Sequence, residues 1–228
     1  MPITTTFELP GRRVVASRGA CFGLVVRSMG MVKGIAAALQ TMRQGEVSQY
    51  TELLEEGCDA ALFVGMHSRA GTVDGVMSHT ISGRDFQNLW FNGRLVGETG
   101  INAALCGTWG CPVLLVTGDE ASCREGAELL GDALTTVSVK RGLSSFSARS
   151  LVPGRARELI EAGARMALGD LSAVRPYEPG SPCEIKVEYK NTNAAHALRY
   201  RTGVELLDAR TIVSRADTWW EAWKQFYF

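Results

Sequence analysis

Between residues 60 and 168, apolar runs of strand length alternate with amphipathic runs of helix length. That alternation restricts the chain to an α/β arrangement, in which helices cover a largely buried sheet. Residues 60–66 read as a buried strand and 86–91 as another, closed by an Asn92-Gly93 turn. Residues 98–108 have the small, apolar character of a helix packed closely on a sheet. Residues 112–117 form the next strand, with Pro112 at its start, where a missing N–H is tolerated. Asp119 is placed to cap a helix running to about residue 130. A β-branched strand follows at 134–139. A helix then spans 153–168, with proline in its first turn and Leu159, Ala162 and Met166 on one side at helical spacing.

The texture changes at Pro176, where Pro-Tyr-Glu-Pro-Gly-Ser-Pro reads as a linker or subdomain boundary. Beyond it Ile185, Val187 and Tyr189 alternate with charged residues, predicting a strand with one wet face. A helix, a short strand at 211–213 and a terminal helix from Asp217 complete this part. Trp219, Trp220, Trp223, Phe226 and Tyr227 crowd the last helix and read as core or subunit-contact residues. The first 50 residues differ from the rest. They hold two acids, Glu8 and Glu46, against six bases, with weak helix and strand signals apart from a possible helix at 31–40. The expected organisation is an atypical segment at 1–41, an α/β domain at 42–175 built as a three-layer sheet-and-helix unit, and a small C-terminal α+β subdomain at 176–228.

Zero formal net charge gives no reason to expect a nucleic acid or an anionic membrane as partner. No apolar run approaches the roughly 20 residues needed to span a bilayer. A secretory signal is not expected, since no apolar region follows basic residues at the start. The six cysteines (Cys21, Cys58, Cys106, Cys111, Cys123, Cys183) contain no CxxC pair, which argues against a zinc ribbon. They read as reduced, buried thiols of a cytoplasmic protein.

His67, His79 and Glu98 carry the chemistry. His67 ends the apolar strand and His79 follows twelve residues later, across a glycine-rich turn. Imidazole and carboxylate together suit zinc or a similar divalent ion, and α/β proteins place chemistry at strand ends. His79 is open to two readings, a second ligand or a general base. Bland readings stand beside these: His67 as a hydrogen-bonded structural residue, Glu98 as an acid opposing a helix dipole. His196 reads as a surface or packing residue. Thr117-Gly118-Asp119 is either a pocket edge or ordinary helix capping. Ser144, Ser145 and Ser147 have only their number to suggest a nucleophile. There is no GxGxxG after a strand, no GxSxG elbow and no Walker A.

From about Met42 onward the chain resembles the zinc D-aminopeptidase family, the DppA-type metallopeptidases. The resemblance rests on ordered segments: Leu-Phe-Val-Gly-Met-His-Ser-Arg-Ala-Gly at 62–71, His79-Thr80, Asn-Gly-Arg-Leu-Val-Gly-Glu-Thr-Gly-Ile-Asn-Ala-Ala-Leu at 92–105, Val-Leu-Leu-Val-Thr-Gly-Asp at 113–119, and Val-Glu-Tyr-Lys-Asn-Thr at 187–192. It implies a cytoplasmic, ring-shaped homo-oligomer, a decamer in that family, that hydrolyses short peptides with N-terminal D-amino acids at a zinc site. By matched motif, His67 and Glu98 look like zinc ligands, and His79 like the catalytic histidine. The family also carries an opening strand with Asp-x-Glu and a further ligand histidine in Asn-Asp-Ser/Ala-His-Gly. Here Asp59 is the first aspartate and His67 the first histidine, so three of the five expected donors have no counterpart. Upstream acids such as Glu46 or Glu56, or another chain, would have to complete a metal shell. The alternative expectation is a catalytically impaired relative with a truncated or frameshifted N-terminus, which lacks the sheet's opening strand and only assembles or binds peptide.

Overall fold

A computed structural model of the protein describes residues 22–25 in backbone, residues 54 and 55, and residues 57–228. Cys21, the expected helix at 31–40, Glu46 and Glu56 all lie outside the described residues. The elements are β1 (Phe22–Val25), β2 (Ala61–Met66), β3 (Phe86–Phe91), β4 (Arg94–Val96), α1 (Glu98–Thr108), β5 (Val113–Asp119), α2 (Glu120–Leu130), β6 (Thr135–Ser144), β7 (Ser147–Ser150), α3 (Pro153–Ala167), β8 (Cys183–Tyr189), α4 (Thr192–His196), β9 (Val204–Leu206), β10 (Thr211–Ala216) and α5 (Trp219–Tyr227).

They form two five-stranded sheets, one ordered β1-β2-β5-β6-β7 and the other β4-β3-β8-β10-β9. In the first sheet β1, β2, β5 and β6 run parallel, and β7 returns antiparallel as a hairpin on β6. A parallel sheet needs cover on both faces, and the helices supply it. The Val116 side chain meets α2 at Gly126, whereas Leu115 meets α3 at Gly163. Adjacent strand residues point to opposite faces, so α2 and α3 lie on opposite sides of the sheet. This is the three-layer arrangement that the alternating pattern predicts.

One expectation is overturned at the front of the chain. The sheet does have a strand outside β2: β1 pairs with it in parallel, Phe22 opposite Ala61. Its sequence, Phe-Gly-Leu-Val, contains no acid. A second correction concerns α3. Met166 is exposed, and the buried residues of the helix are Gly163 and Ala167. The helix lies close to the sheet through its smallest side chains, Gly163 and Ala167, and Met166 is left outside.

The second sheet draws strands from both sides of Pro176: β3 and β4 before it, and β8, β9 and β10 after it. All of its pairings are antiparallel. β8 buries Cys183, Ile185, Val187 and Tyr189 and turns Glu184, Lys186 and Glu188 toward solvent. On the wetter face, Arg215 pairs with Glu184 and Arg210 with Glu188. The buried face packs on α5, whose Trp219, Trp223 and Phe226 belong to the core, as their sequence setting predicts. Thr218 and Glu221 start that helix with a reciprocal capping box. α1 lies between the two cores: Ala103 and Cys106 belong to one, Ile101 and Ala104 to the other.

Among the described residues no helix is long and apolar enough to cross a membrane. No disulfide joins the cysteines there. The Cys111 thiol is pushed up to about 12 by its hydrogen-bonded neighbour Cys106 and by burial. Burial pushes Cys123 and Cys183 up to about 11. Thiols held protonated in this way are poor nucleophiles.

Candidate metal centre

The strand end, the following loop and a helix start converge on one point. His67 follows the last residue of β2, His79 lies in the loop between β2 and β3, and Glu98 opens α1. Their donor atoms all lie within 4.8 Å of one another. His67 Nε2 and His79 Nε2 each stand 3.6 Å from the same Glu98 oxygen, Oε1. The two rings stack, with centroids 3.9 Å apart and planes inclined by 17°. All three side chains are largely covered, at 11%, 32% and 23% exposure.

Each imidazole is oriented from behind. His67 Nδ1 lies 3.0 Å from the Ser68 carbonyl, and His79 Nδ1 lies 2.7 Å from the Met77 carbonyl. A carbonyl can only accept, so both Nδ1 atoms carry a proton, and each ring turns Nε2 toward Glu98. This is the outer-shell pattern by which proteins fix metal-binding histidines. Burial pulls the His67 pKa down, but the hydrogen bond and charge of Glu98 outweigh it, and the net shift is upward. Burial pushes Glu98 up, yet His67, the charge of His79 and the Ile81 amide hold it below the ordinary carboxylate range.

The loop bearing His79 has no regular structure, and carboxylates from other elements bind its amides. Asp119 Oδ2 accepts from Val76 N at 2.7 Å, while Oδ1 caps α2 by accepting from Ser122 N at 2.7 Å. The helix-cap reading of Asp119 holds, and the same carboxylate also ties down the loop. Glu125 accepts from Arg69 N at 2.9 Å and from the Thr72 hydroxyl at 2.7 Å. Glu98 Oε1 accepts from Ile81 N at 2.7 Å. Gly97 lets the β4–α1 corner close on the loop: a Cβ there would stand 2.7 Å from Arg69 Cβ. Glu125 and the loop-holding role of Asp119 were not legible in sequence, because their partners lie more than 40 residues away. Tyr227, half-buried on α5, is also near enough for the Glu98 charge to act on it, after burial the main cause of its raised pKa. His196 is exposed on α4, away from this cluster. Ser144, Ser145 and Ser147 lie in the exposed β6–β7 hairpin.

The donor set fits zinc. Two ligands at about 2.1 Å in a tetrahedral shell stand roughly 3.4 Å apart, close to the 3.6 Å between each Nε2 and Oε1. Two imidazoles and one carboxylate make a three-ligand set that leaves one position open, as catalytic zinc sites do. Among the described residues no other group of three or more such donors is assembled.

The family model for D-aminopeptidase matches residues 30–228. The chain belongs to the D-aminopeptidase family. It is 34% identical over 171 residues to D-aminopeptidase of Bacillus subtilis, covering 74% of this chain and 61% of that protein. The chain thus spans under two thirds of its relative's length. Among solved structures it is similar to the Zn-dependent D-aminopeptidase DppA from Bacillus subtilis, described as a self-compartmentalizing protease. The TM-score is 0.70 at 31% identity, covering 75% of this chain and 62% of that one. A separate likeness spans 53 residues, 23% of the chain: 49% identity to a UPF0145 protein of Paraburkholderia phymatum, covering 48% of that protein.

Proposed function

We propose that this D-aminopeptidase family member is a zinc-dependent aminopeptidase acting on short peptides with N-terminal D-amino acids. The observation that carries the reading is the convergence of His67 Nε2, His79 Nε2 and Glu98 Oε1, both imidazoles oriented through Nδ1 by main-chain carbonyls. His67 and Glu98 hold the ion, and His79 stands beside it as base or nucleophile. Zinc supplies a polarised carbonyl and a water of lowered pKa. The protein residues do the positioning: Glu98 ties Ile81 to the centre, and the Met77 carbonyl keeps the proton on Nδ1 of His79. A second reading is favoured by one observation. His79 Nε2 stands as far from Oε1 as His67 Nε2 does, 3.6 Å, so His79 equally suits the third protein ligand.

Metal analysis of purified protein and hydrolysis of D-Ala-D-Ala after added zinc test the proposal. Wild-type protein is expected to bind one zinc per chain and to hydrolyse the dipeptide, with both lost in His67→Ala and Glu98→Gln. His79→Ala separates the two readings: a catalytic His79 leaves zinc bound with hydrolysis lost, and a ligand His79 loses both. Wild-type protein without zinc or hydrolysis would sink the enzyme reading in favour of a relative that only binds peptide or assembles. The self-compartmentalizing relative supports assembly of this chain with copies of itself.

A further inference from the structure

His79 is bracketed by two residues in unusual backbone conformations. Met77 has φ 52° and Ile81 has φ 57°. The left-handed region is unfavourable for a bulky side chain and most of all for a β-branched one, and such residues persist only where the surroundings hold them. Each is held by its own N–H. Ile81 donates to Glu98 Oε1 at 2.7 Å, within the site itself. Met77 donates to the Ser145 carbonyl at 2.7 Å, and Ser145 belongs to the turn of the distant β6–β7 hairpin.

The hairpin is fitted against this loop elsewhere too. At Gly142 in β6 a Cβ would collide with the Asp74 carbonyl, so the strand approaches the loop as closely as it does only because the residue is glycine. Asp74 is fixed in turn by Arg124 of α2, at 2.9 Å. Beyond these contacts the hairpin is exposed: Phe146 is 90% and Leu143 65% accessible, and β7 is exposed throughout. It adds little to either core. Beyond the β6 residues that pair with β5, its contacts at Met77 and Asp74 run to the loop that orients His79.

We propose that the β6–β7 hairpin is a positioning element for His79, acting through the Ser145 carbonyl and Met77. The Ser145 carbonyl holds Met77 left-handed. That conformation aims the Met77 carbonyl at His79 Nδ1 and leaves Nε2 facing Glu98. The side chain of Met77 has no part in this; its N–H and its carbonyl do.

The test is the imidazole nitrogen spectrum of 15N-labelled, metal-free protein, recorded at alkaline pH where the rings are neutral. Wild-type His79 is expected to show one tautomer, protonated at Nδ1. Met77→Gly keeps both backbone groups and accepts positive φ freely, so it retains that tautomer. Met77→Val, β-branched and averse to positive φ, yields a mixture of tautomers. Gly142→Ala, which forces the hairpin off the loop, yields the same mixture. Phe146→Ser, at the exposed tip, changes nothing. On the second reading above, in which His79 is a zinc ligand, the expected accompaniment is a roughly tenfold loss of zinc affinity in Met77→Val and Gly142→Ala, measured by competition with a chromogenic chelator. Where the peptidase is active, kcat falls and KM does not. If Gly142→Ala fails to fold, the contrast between Met77→Gly and Met77→Val decides alone. A wild-type His79 protonated at Nε2, or an unchanged tautomer in Met77→Val, overturns the proposal. A fixed tautomer in a wild-type protein that binds no zinc supports it while removing the enzymatic reading.

Discussion

His67 and Glu98 shift in opposite directions, and this gives the metal-free protein a distinctive pH response. The pKa of His67 is raised in the folded state. Its contribution is therefore complete below the unfolded value of about 6.5 and is lost as pH rises through the folded one. That of Glu98 is depressed, so its contribution is complete above about 4.3 and is lost as pH falls through its folded value. The pair stabilises most between those two limits. Thermal unfolding of metal-free wild type and His67→Gln should show the widest gap in melting temperature near pH 5–6, narrowing on both sides. A gap that stays constant across pH would show that the pair is not coupled. Zinc needs His67 neutral, so zinc affinity should climb with pH and level off only above the raised pKa of His67. At this scale the three ionisable residues of the centre were legible, because their motifs are ordered along the chain and their residue types bind metal. Met77, Ser145, Asp119 and Glu125 were not legible in their supporting roles. Those roles are exercised by main-chain groups or across large sequence separations, which no local pattern records.

At the scale of elements, what could be read followed from burial. β2, β5, α1 and α2 stand close to their predicted bounds because they are mostly buried or, in α2, begin at a side-chain cap. β4, β7 and β9 escaped, being three or four residues long and lacking an alternating pattern. The α3 face was misjudged because apolar size was taken to mark the core, while the sheet admits the helix only through Gly163. α1 depends on close approach in the same way. A Cβ at Gly107 would run into the main-chain carbonyl of Tyr177, in the segment that leads into the second sheet. Alanine gains about 1 kcal/mol over glycine inside a helix, but collision with main chain belongs at the upper end of the ~1–3 kcal/mol cost of overpacking. Gly107→Ala is therefore expected to destabilise by roughly 2 kcal/mol in urea unfolding. A neutral or stabilising result would mean that the Tyr177 segment yields easily and that α1 is not clamped between the cores.

At the scale of the whole molecule, the centre draws its donors from both sheets. His67 extends β2 of the parallel sheet, whereas Glu98 follows β4 of the antiparallel one, on a helix whose faces serve both cores. An ion bound there ties the two halves together, in addition to occupying a loop. A ligand that binds only the folded state stabilises it by about 2.7 kcal/mol at a hundredfold excess over Kd. For a chain of this length each kcal/mol is worth about 2–4 °C. Zinc at that excess should thus raise the melting temperature by roughly 5–10 °C. Because the site spans both sheets, the rise should appear equally in tryptophan fluorescence, which reports α5 on the antiparallel sheet, and in far-ultraviolet circular dichroism, which reports the whole chain. Glu98→Gln should abolish the rise. A rise confined to one probe would show that the halves unfold separately and that the metal does not join them. An undiminished rise in Glu98→Gln would place the ion elsewhere in the protein.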